Sequence, residues 1–204
     1  MSYGISILIG YLLGSLSPSY LIARLRHVDL RSGGSGNLGA SNTMLMLGWY
    51  AGAAVALFDI GKAVLAVYLA NLLFPSAALA GTLAGVAAVL GHIFPFYLHF
   101  RGGKGFASYF GVVLGLNWKF ALALAVAVLV LTLVTDYIVV GTMTTVISFP
   151  LYYVFLQSFL AAGILCVASL VIIYKHRANL VRIYRGTEIG LRSANRGDHR
   201  VQRK

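Results

Sequence analysis

The sequence predicts an all-α, polytopic helical membrane protein with about seven transmembrane helices, its N-terminus outside and its C-terminus cytoplasmic. Three observations lead there. Of 204 residues, 59% are hydrophobic and 10% charged, with a mean hydropathy of +0.85, more apolar surface than a soluble domain of this length needs. Apolar runs approaching the roughly 20 residues that cross a bilayer recur along the chain. Basic residues gather in alternate connections between those runs, as the positive-inside rule requires of cytoplasmic loops.

The first span, 3–23, follows an opening Met-Ser-Tyr-Gly-Ile-Ser without a basic leader region, so it is expected to be retained rather than cleaved. The second, 45–74, is long and polar at Asp59 and Lys62. These lie three apart on one helical face and are expected to pair, since either alone costs at least about 2.5 kcal/mol at the bilayer centre. Gly48, Gly52 and Ala56 in the same run favour close helix contact. The third span, 77–98, contains Gly91, His92 and a helix-ending Pro95. Spans four (105–116) and five (120–134) are short, which predicts tilted, broken or partly re-entrant segments. Spans six (138–156) and seven (159–174) complete the set. The single Cys166, in apolar context, leaves no disulfide within the chain.

Loops after spans one, three, five and seven carry Arg24, Arg26 and Arg31, then Arg101 and Lys104, then a basic tail; the opposite loops carry only Lys119. Two parts follow: a transmembrane helical domain, 1–174, and a basic juxtamembrane segment, 175–204. The segment holds nine Lys or Arg against Glu188 and Asp198, which points to anionic membrane lipids as partners and not to nucleic acid, for no aromatic interleaving accompanies the charge. No internal repeat of the kind secondary transporters use is visible.

Three polar islands interrupt the apolar pattern on the predicted cytoplasmic side. The first is Ser35-Gly36-Asn37-Leu38-Gly39-Ala40-Ser41-Asn42, where glycines let backbone N–H groups converge on an anion and Ser35, Asn37, Ser41 and Asn42 add uncharged donors. A plain helix connection capped by Ser41 or Asn42 is the other reading. The second is Phe100-Arg101-Gly102-Gly103-Lys104-Gly105, two cations beside accessible backbone, suited to phosphate. It lacks the Walker spacing. The third runs from Lys175-His176 through Asn179 and Arg182 to Gly186-Thr187-Glu188; helical spacing puts Lys175, Asn179 and Arg182 on one side. Read alone, it is equally a juxtamembrane anchor. His92 suits either proton transfer or packing. No metal-ligand spacing and no Ser-His-Asp arrangement appears, so neither metal nor cofactor is expected.

Taken together, Ser35 to Asn42, Gly91 to Gly105 and Lys175 to Arg182 with Gly186 and Glu188 resemble three motifs, in order, of the bacterial membrane acyltransferases that acylate glycerol 3-phosphate using acyl phosphate. The resemblance spans nearly the whole chain. It implies transfer of a fatty acyl group to the 1-hydroxyl of glycerol 3-phosphate, giving lysophosphatidic acid for phospholipid synthesis, on the cytoplasmic side of a bacterial inner membrane. It implies Ser35, Asn37, His92, Lys104, His176 and Glu188 as catalytic residues. Substrate binding falls to Gly36, Gly39, Ser41, Asn42, Arg101, Gly102, Gly103, Gly105, Thr142, Lys175, Asn179 and Arg182. The chain departs from the family pattern where arginines are usual, with Leu45 and Asp136, and where a serine is usual, with Val139; Leu38 and Ser41 replace a proline and a threonine. Losing two cations weakens an anion site, so a divergent lipid-phosphate binder or a transporter of phosphorylated lipids is the alternative.

Overall fold

The computed structural model describes residues 1–190 and Arg192. The rest of the basic tail, Asp198 and Lys204 included, lies outside the described residues. Over the described residues the chain is helical, without strands: α1 (Ser2–Ser15), α2 (Pro18–Leu25), α3 (Ala40–Leu47), α4 (Trp49–Leu73), α5 (Ala80–Ile93), α6 (Phe106–Leu116), α7 (Trp118–Thr135), α8 (Ile138–Phe155) and α9 (Phe159–Tyr184).

Local chemistry divides the predicted spans. Span one breaks between α1 and α2 because Pro18 has no N–H to continue the ladder. The Tyr97 hydroxyl repairs the gap, donating to the Ser15 carbonyl at 2.9 Å and accepting the Ser17 N–H at 3.1 Å. Span two divides at Gly48, whose φ of +90° ends α3 and turns the chain into α4. Gly52 then lies against the Met44 backbone, so small residues here serve contact between α3 and α4. α5 stops at Ile93, and after Pro95 a single 3-10 turn (Phe96–Leu98) leads into the second island.

Among the described residues six segments are long and apolar enough to cross a membrane: Ser2–Leu25, Trp49–Leu73, Ala80–Leu98, Trp118–Thr135, Ile138–Phe155 and Phe159–Tyr184. The predicted fifth span is thus full length, because Asn117 caps α7 by accepting the Phe120 N–H at 2.9 Å and starts it earlier. The predicted fourth remains short. α6 has 11 residues, about 16 Å at 1.5 Å per residue, and turns into α7 where Asn117 donates to the Tyr152 hydroxyl of α8 at 2.8 Å. α7 ends at Asp136, beside Gly190 and Arg192 of the tail, so α6 and α7 start and finish at the end of the bundle that carries the islands. α9 continues unbroken through Tyr174 to Tyr184. The basic cluster is therefore a rigid extension of the last span.

The core combines tight backbone contact with aromatic filling. Gly10 and Gly14 of α1 touch the backbone of Ala84 and Ala88 of α5, where any Cβ would collide with a carbonyl. Tyr109 and Val112 of α6, Phe149 of α8 and Leu165 and Ile172 of α9 are fully buried in one apolar cluster. Leu57, Leu122, Leu129 and Leu170 remain well exposed, which fits a lipid-facing surface. Cys166 is exposed on α9.

Candidate active site

The first island is organised by Asn42, fully buried in the first turn of α3. Its Oδ1 accepts the Ser35 N–H at 2.7 Å and the Ser35 hydroxyl at 3.2 Å; its Nδ2 donates to the carbonyls of Leu30 at 2.7 Å and Asn37 at 2.9 Å. Asn37 Nδ2 in turn donates to Ser35 Oγ at 2.6 Å. The loop is thus closed around one amide, with Gly34 and Gly36 taking the positive φ values of +58° and +66° that the turn requires. The Ser35 hydroxyl proton is engaged with Asn42, so this serine is not set up as a nucleophile. We expect Asn42→Ala to lose about 2–3 kcal/mol through unpaired buried groups, seen as a lower Tm in detergent. An unchanged Tm would show that the loop holds without its hub.

The second island folds back on α5. The N–H groups of Gly102 and Gly103 donate to the carbonyls of Ile93 and His92 at 3.0 and 3.2 Å. Glycine is dictated here because a Cβ on Gly103 would strike His92 Nε2 and lie 3.1 Å from the Leu38 carbonyl of the first island. Arg31 fastens the two islands together, donating to the carbonyls of Leu98 at 3.3 Å and Arg101 at 2.8 Å. Gly39 and Gly105 stand at the N-caps of α3 and α6, whose first-turn N–H groups have no helical acceptor and favour anions.

The third island joins through Lys104. Its ammonium donates to Asn179 Oδ1 at 2.6 Å; Asn179 Nδ2 donates to Glu188 Oε1 at 2.6 Å, and Arg182 Nε donates to Glu188 Oε2 at 2.6 Å. The amide orientation is forced, because lysine cannot accept and a carboxylate cannot donate. Burial pushes the Lys104 ammonium below the ordinary lysine range, the nearby Arg182 adds to this, and Glu188 opposes it. His176 is buried, and its Nδ1 lies 2.8 Å from the Ile172 carbonyl. That contact needs a proton on Nδ1 and leaves the lone pair on Nε2.

His92 is held from the membrane side. Its Nδ1 lies 3.2 Å from Asp59 Oδ1 and 3.1 Å from Lys62 Nζ, while Lys62 also reaches Asp59 Oδ1 at 2.6 Å and the Leu16 carbonyl at 2.7 Å. The pairing expected of Asp59 and Lys62 is present, extended by a histidine.

The expected residues therefore separate into groups. Ser35, Asn37, Asn42, His92, Gly102, Gly103, Lys104, Asn179, Arg182 and Glu188 form connected contacts. Gly36, Ser41 and Arg101 are exposed around them. Lys175 lies with its ammonium 4.9 Å from the centre of the Phe94 ring. Thr142 is buried in α8 and donates to the Ile138 carbonyl at 3.1 Å; its hydroxyl is spent within its own helix and shares no hydrogen bond with the islands. Glu188, expected as catalytic, has both oxygens committed to Asn179 and Arg182. The charge reversal at Asp136 is turned to the tail: its carboxylate accepts the Arg192 backbone N–H at 2.9 Å. Sequence reasoning missed Arg31 as a clamp, although its charge beside a glycine-rich loop was visible. It also missed Ser108, whose buried hydroxyl in the first turn of α6 has no partner among the described residues.

The family model described as glycerol-3-phosphate acyltransferase matches residues 4–186. The chain is 37% identical over 204 residues to glycerol-3-phosphate acyltransferase 1 of Oceanobacillus iheyensis, covering 95% of this chain and 97% of that one. It is 39% identical over 196 residues to the glycerol-3-phosphate acyltransferase of Shouchella clausii, with 90% and 93% covered. Among solved structures it is similar to PlsY (YgiH), an integral membrane glycerol 3-phosphate acyltransferase. The glycerol 3-phosphate form superimposes with a TM-score of 0.87 at 33% identity, over 94% of this chain and 96% of that one. The lysophosphatidic acid form superimposes with a TM-score of 0.83 at 32% identity, over 93% and 95%.

Proposed function

The chain belongs to the glycerol-3-phosphate acyltransferase family, and from that premise we propose that it acylates the 1-hydroxyl of glycerol 3-phosphate from acyl phosphate. It is an all-helical, multi-pass membrane protein. The observation that carries the reading is the junction at Lys104, where one ammonium, held by Asn179, stands among three polar islands. The donor is a mixed anhydride with phosphate as its leaving group. Attack by the hydroxyl oxygen on the acyl carbon forms the ester, breaks the carbon–oxygen bond to phosphate and releases inorganic phosphate with lysophosphatidic acid. No enzyme nucleophile is needed, which agrees with Ser35 being hydrogen-bonded into its loop. The chain's task is to place two anions and stabilise the developing charge.

In this reading Lys104 and Arg101 hold one phosphate, and Arg182 and Lys175 lie toward the other. The free N–H groups at the starts of α3 and α6 receive the oxyanion or the leaving group. Of the two buried histidines, His176 presents a lone pair at Nε2 and is the protein group placed to accept the hydroxyl proton; a substrate phosphate, with a second pKa of about 6, shares that ability. The acyl chain lies among apolar helices. The site opens to the cytoplasmic side of a bacterial inner membrane, where the basic tail meets anionic headgroups.

The test is acyl transfer by purified, reconstituted protein from palmitoyl phosphate to labelled glycerol 3-phosphate, with acyl-CoA as a parallel donor. Lysophosphatidic acid from acyl phosphate alone is expected. Product from acyl-CoA alone would overturn the donor assignment, and no product from folded protein would overturn the reaction. Leu45 lies half-buried on α3 where the family pattern has arginine. Leu45→Arg is expected to raise kcat/KM about tenfold, as one added charge-assisted contact worth about 1.5 kcal/mol would. An unchanged value in a folded variant would show that the site already holds the charge it needs.

A further inference from the structure

We infer that Asp59 and Lys62 act as positioning residues that fix His92 in its Nε2–H tautomer, making it a hydrogen-bond donor to an anionic oxygen rather than a base. Only its consequence for catalysis rests on the acyl-transfer reading.

The argument begins with proton counting around Lys62. A charged ammonium has three protons and no acceptor. Lys62 Nζ has three acceptors in reach: Asp59 Oδ1 at 2.6 Å, the Leu16 carbonyl at 2.7 Å and His92 Nδ1 at 3.1 Å. Both Lys62 and Asp59 are almost wholly buried, so an unsatisfied N–H there carries a desolvation cost of about 1–3 kcal/mol. Three donors meet three acceptors only if Nδ1 is unprotonated. If Nδ1 instead gave its proton to Asp59 at 3.2 Å, a Lys62 proton would be left facing an N–H. A protonated ring would set a second cation 3.1 Å from the ammonium. Neutral His92 with its proton on Nε2 gives all three Lys62 protons an acceptor.

The other nitrogen faces the islands. His92 is only 7% exposed, yet Nε2 has no protein hydrogen-bond partner among the described residues. It lies against Gly103, whose glycine identity it enforces, and close to the Leu38 carbonyl end of the first island. A proton there points where the two glycine-rich loops meet. The two histidines then have opposite tautomers and opposite roles: His176 accepts at Nε2, and His92 donates.

The experiment reads the tautomer directly. Full-length protein in lipid, labelled with 15N in its imidazole rings, is measured by solid-state NMR at neutral pH without substrate. His92 is assigned by signal loss in His92→Gln or, should that variant not fold, from a chain in which the other four of five histidines are replaced. A protonated Nε2 with an unprotonated Nδ1 is expected; an Nδ1–H ring or an imidazolium overturns the proposal. Lys62→Met removes the third proton and leaves Asp59 as the acceptor for Nδ1, so the tautomer should invert. For turnover, His92→Ala should lower kcat about 10²–10³-fold, as removal of one preorganised donor does. His92→Gln, which keeps an N–H at the Nε2 position, should recover at least about tenfold of it. Equal loss in both folded variants would overturn the donor role. Because the NMR result needs no turnover, failure of the acyl-transfer reading and failure of the tautomer assignment are separable.

Discussion

Replacing Lys104 by alanine is expected to lower kcat/KM by at least about 10³-fold while the protein stays folded. Lys104 leaves the second island and ends on the third, its ammonium donating to Asn179. Truncation removes the charge proposed to hold a phosphate, and loss of one preorganised donor alone costs about 10²–10³ in rate. The fold should survive because Lys104 is only partly buried and the return of its loop is fixed by Gly102 and Gly103 on the backbone of α5. Tm in detergent and the elution profile check the fold, and the transfer assay checks the loss. Turnover within about tenfold of wild type would remove Lys104 from the site, since a charge-assisted contact to phosphate is worth more than that factor.

The same residue dictates a pH profile. Only protonated Lys104 can hold an anion, and burial, aided by Arg182, moves its ammonium below the ordinary lysine range. Activity should therefore fall on the alkaline side at a lower pH than an unperturbed lysine would give. Lys104→Arg stays charged throughout that range, so whatever activity it retains should lack this limb. A limb of equal position in both proteins would assign it to another group.

How much of this was legible depends on distance along the chain. The helices were visible because apolar runs report lipid exposure directly, residue by residue. Their interruptions were less so: Pro18 and Gly48 were plain in the sequence, but the repair of the first by the Tyr97 hydroxyl, 80 residues away, was not. The islands could be recognised as polar loops between spans. That Gly39 and Gly103 lie side by side depends on contacts distant in sequence, the packing of α1 on α5 at Gly10 and Gly14 and the Arg31 clamp on the second island among them. Asp59 and Lys62 announced a pair through their spacing, whereas their third member, His92, lies on another helix. Asp136 shows the opposite failure. Its charge reads as a loss to the site, yet the helix end on which it sits directs the carboxylate to the Arg192 backbone.

Glu188→Gln is expected to be far more damaging than the similar shape of the two side chains suggests, with kcat/KM falling about 10²-fold. Glu188 makes no contact that requires it to react; both oxygens accept, from Asn179 Nδ2 and from Arg182 Nε, each at 2.6 Å. Glutamine offers one acceptor and one donor. With its oxygen kept on Arg182, its NH2 group meets the NH2 group of Asn179. Relief requires Asn179 to flip, which then turns an NH2 group toward Lys104. The first pushes Asn179 away from its place and the second turns a donor on the ammonium, so either way the acceptor that positions Lys104 is disturbed, and a displacement of about 1 Å can cost about 10²-fold. The polarity of the whole chain of contacts can be reversed in its middle. An aspartate in place of Asn179 would accept both from Lys104 and from the NH2 group of the new glutamine. Asn179→Asp combined with Glu188→Gln should therefore regain at least about tenfold over Glu188→Gln alone. Asn179→Asp by itself should be poor, since it sets two carboxylates in contact. A double mutant no better than the worse single would show that Glu188 acts through its charge on Arg182 rather than by orienting Asn179, and a double-mutant cycle measures the difference.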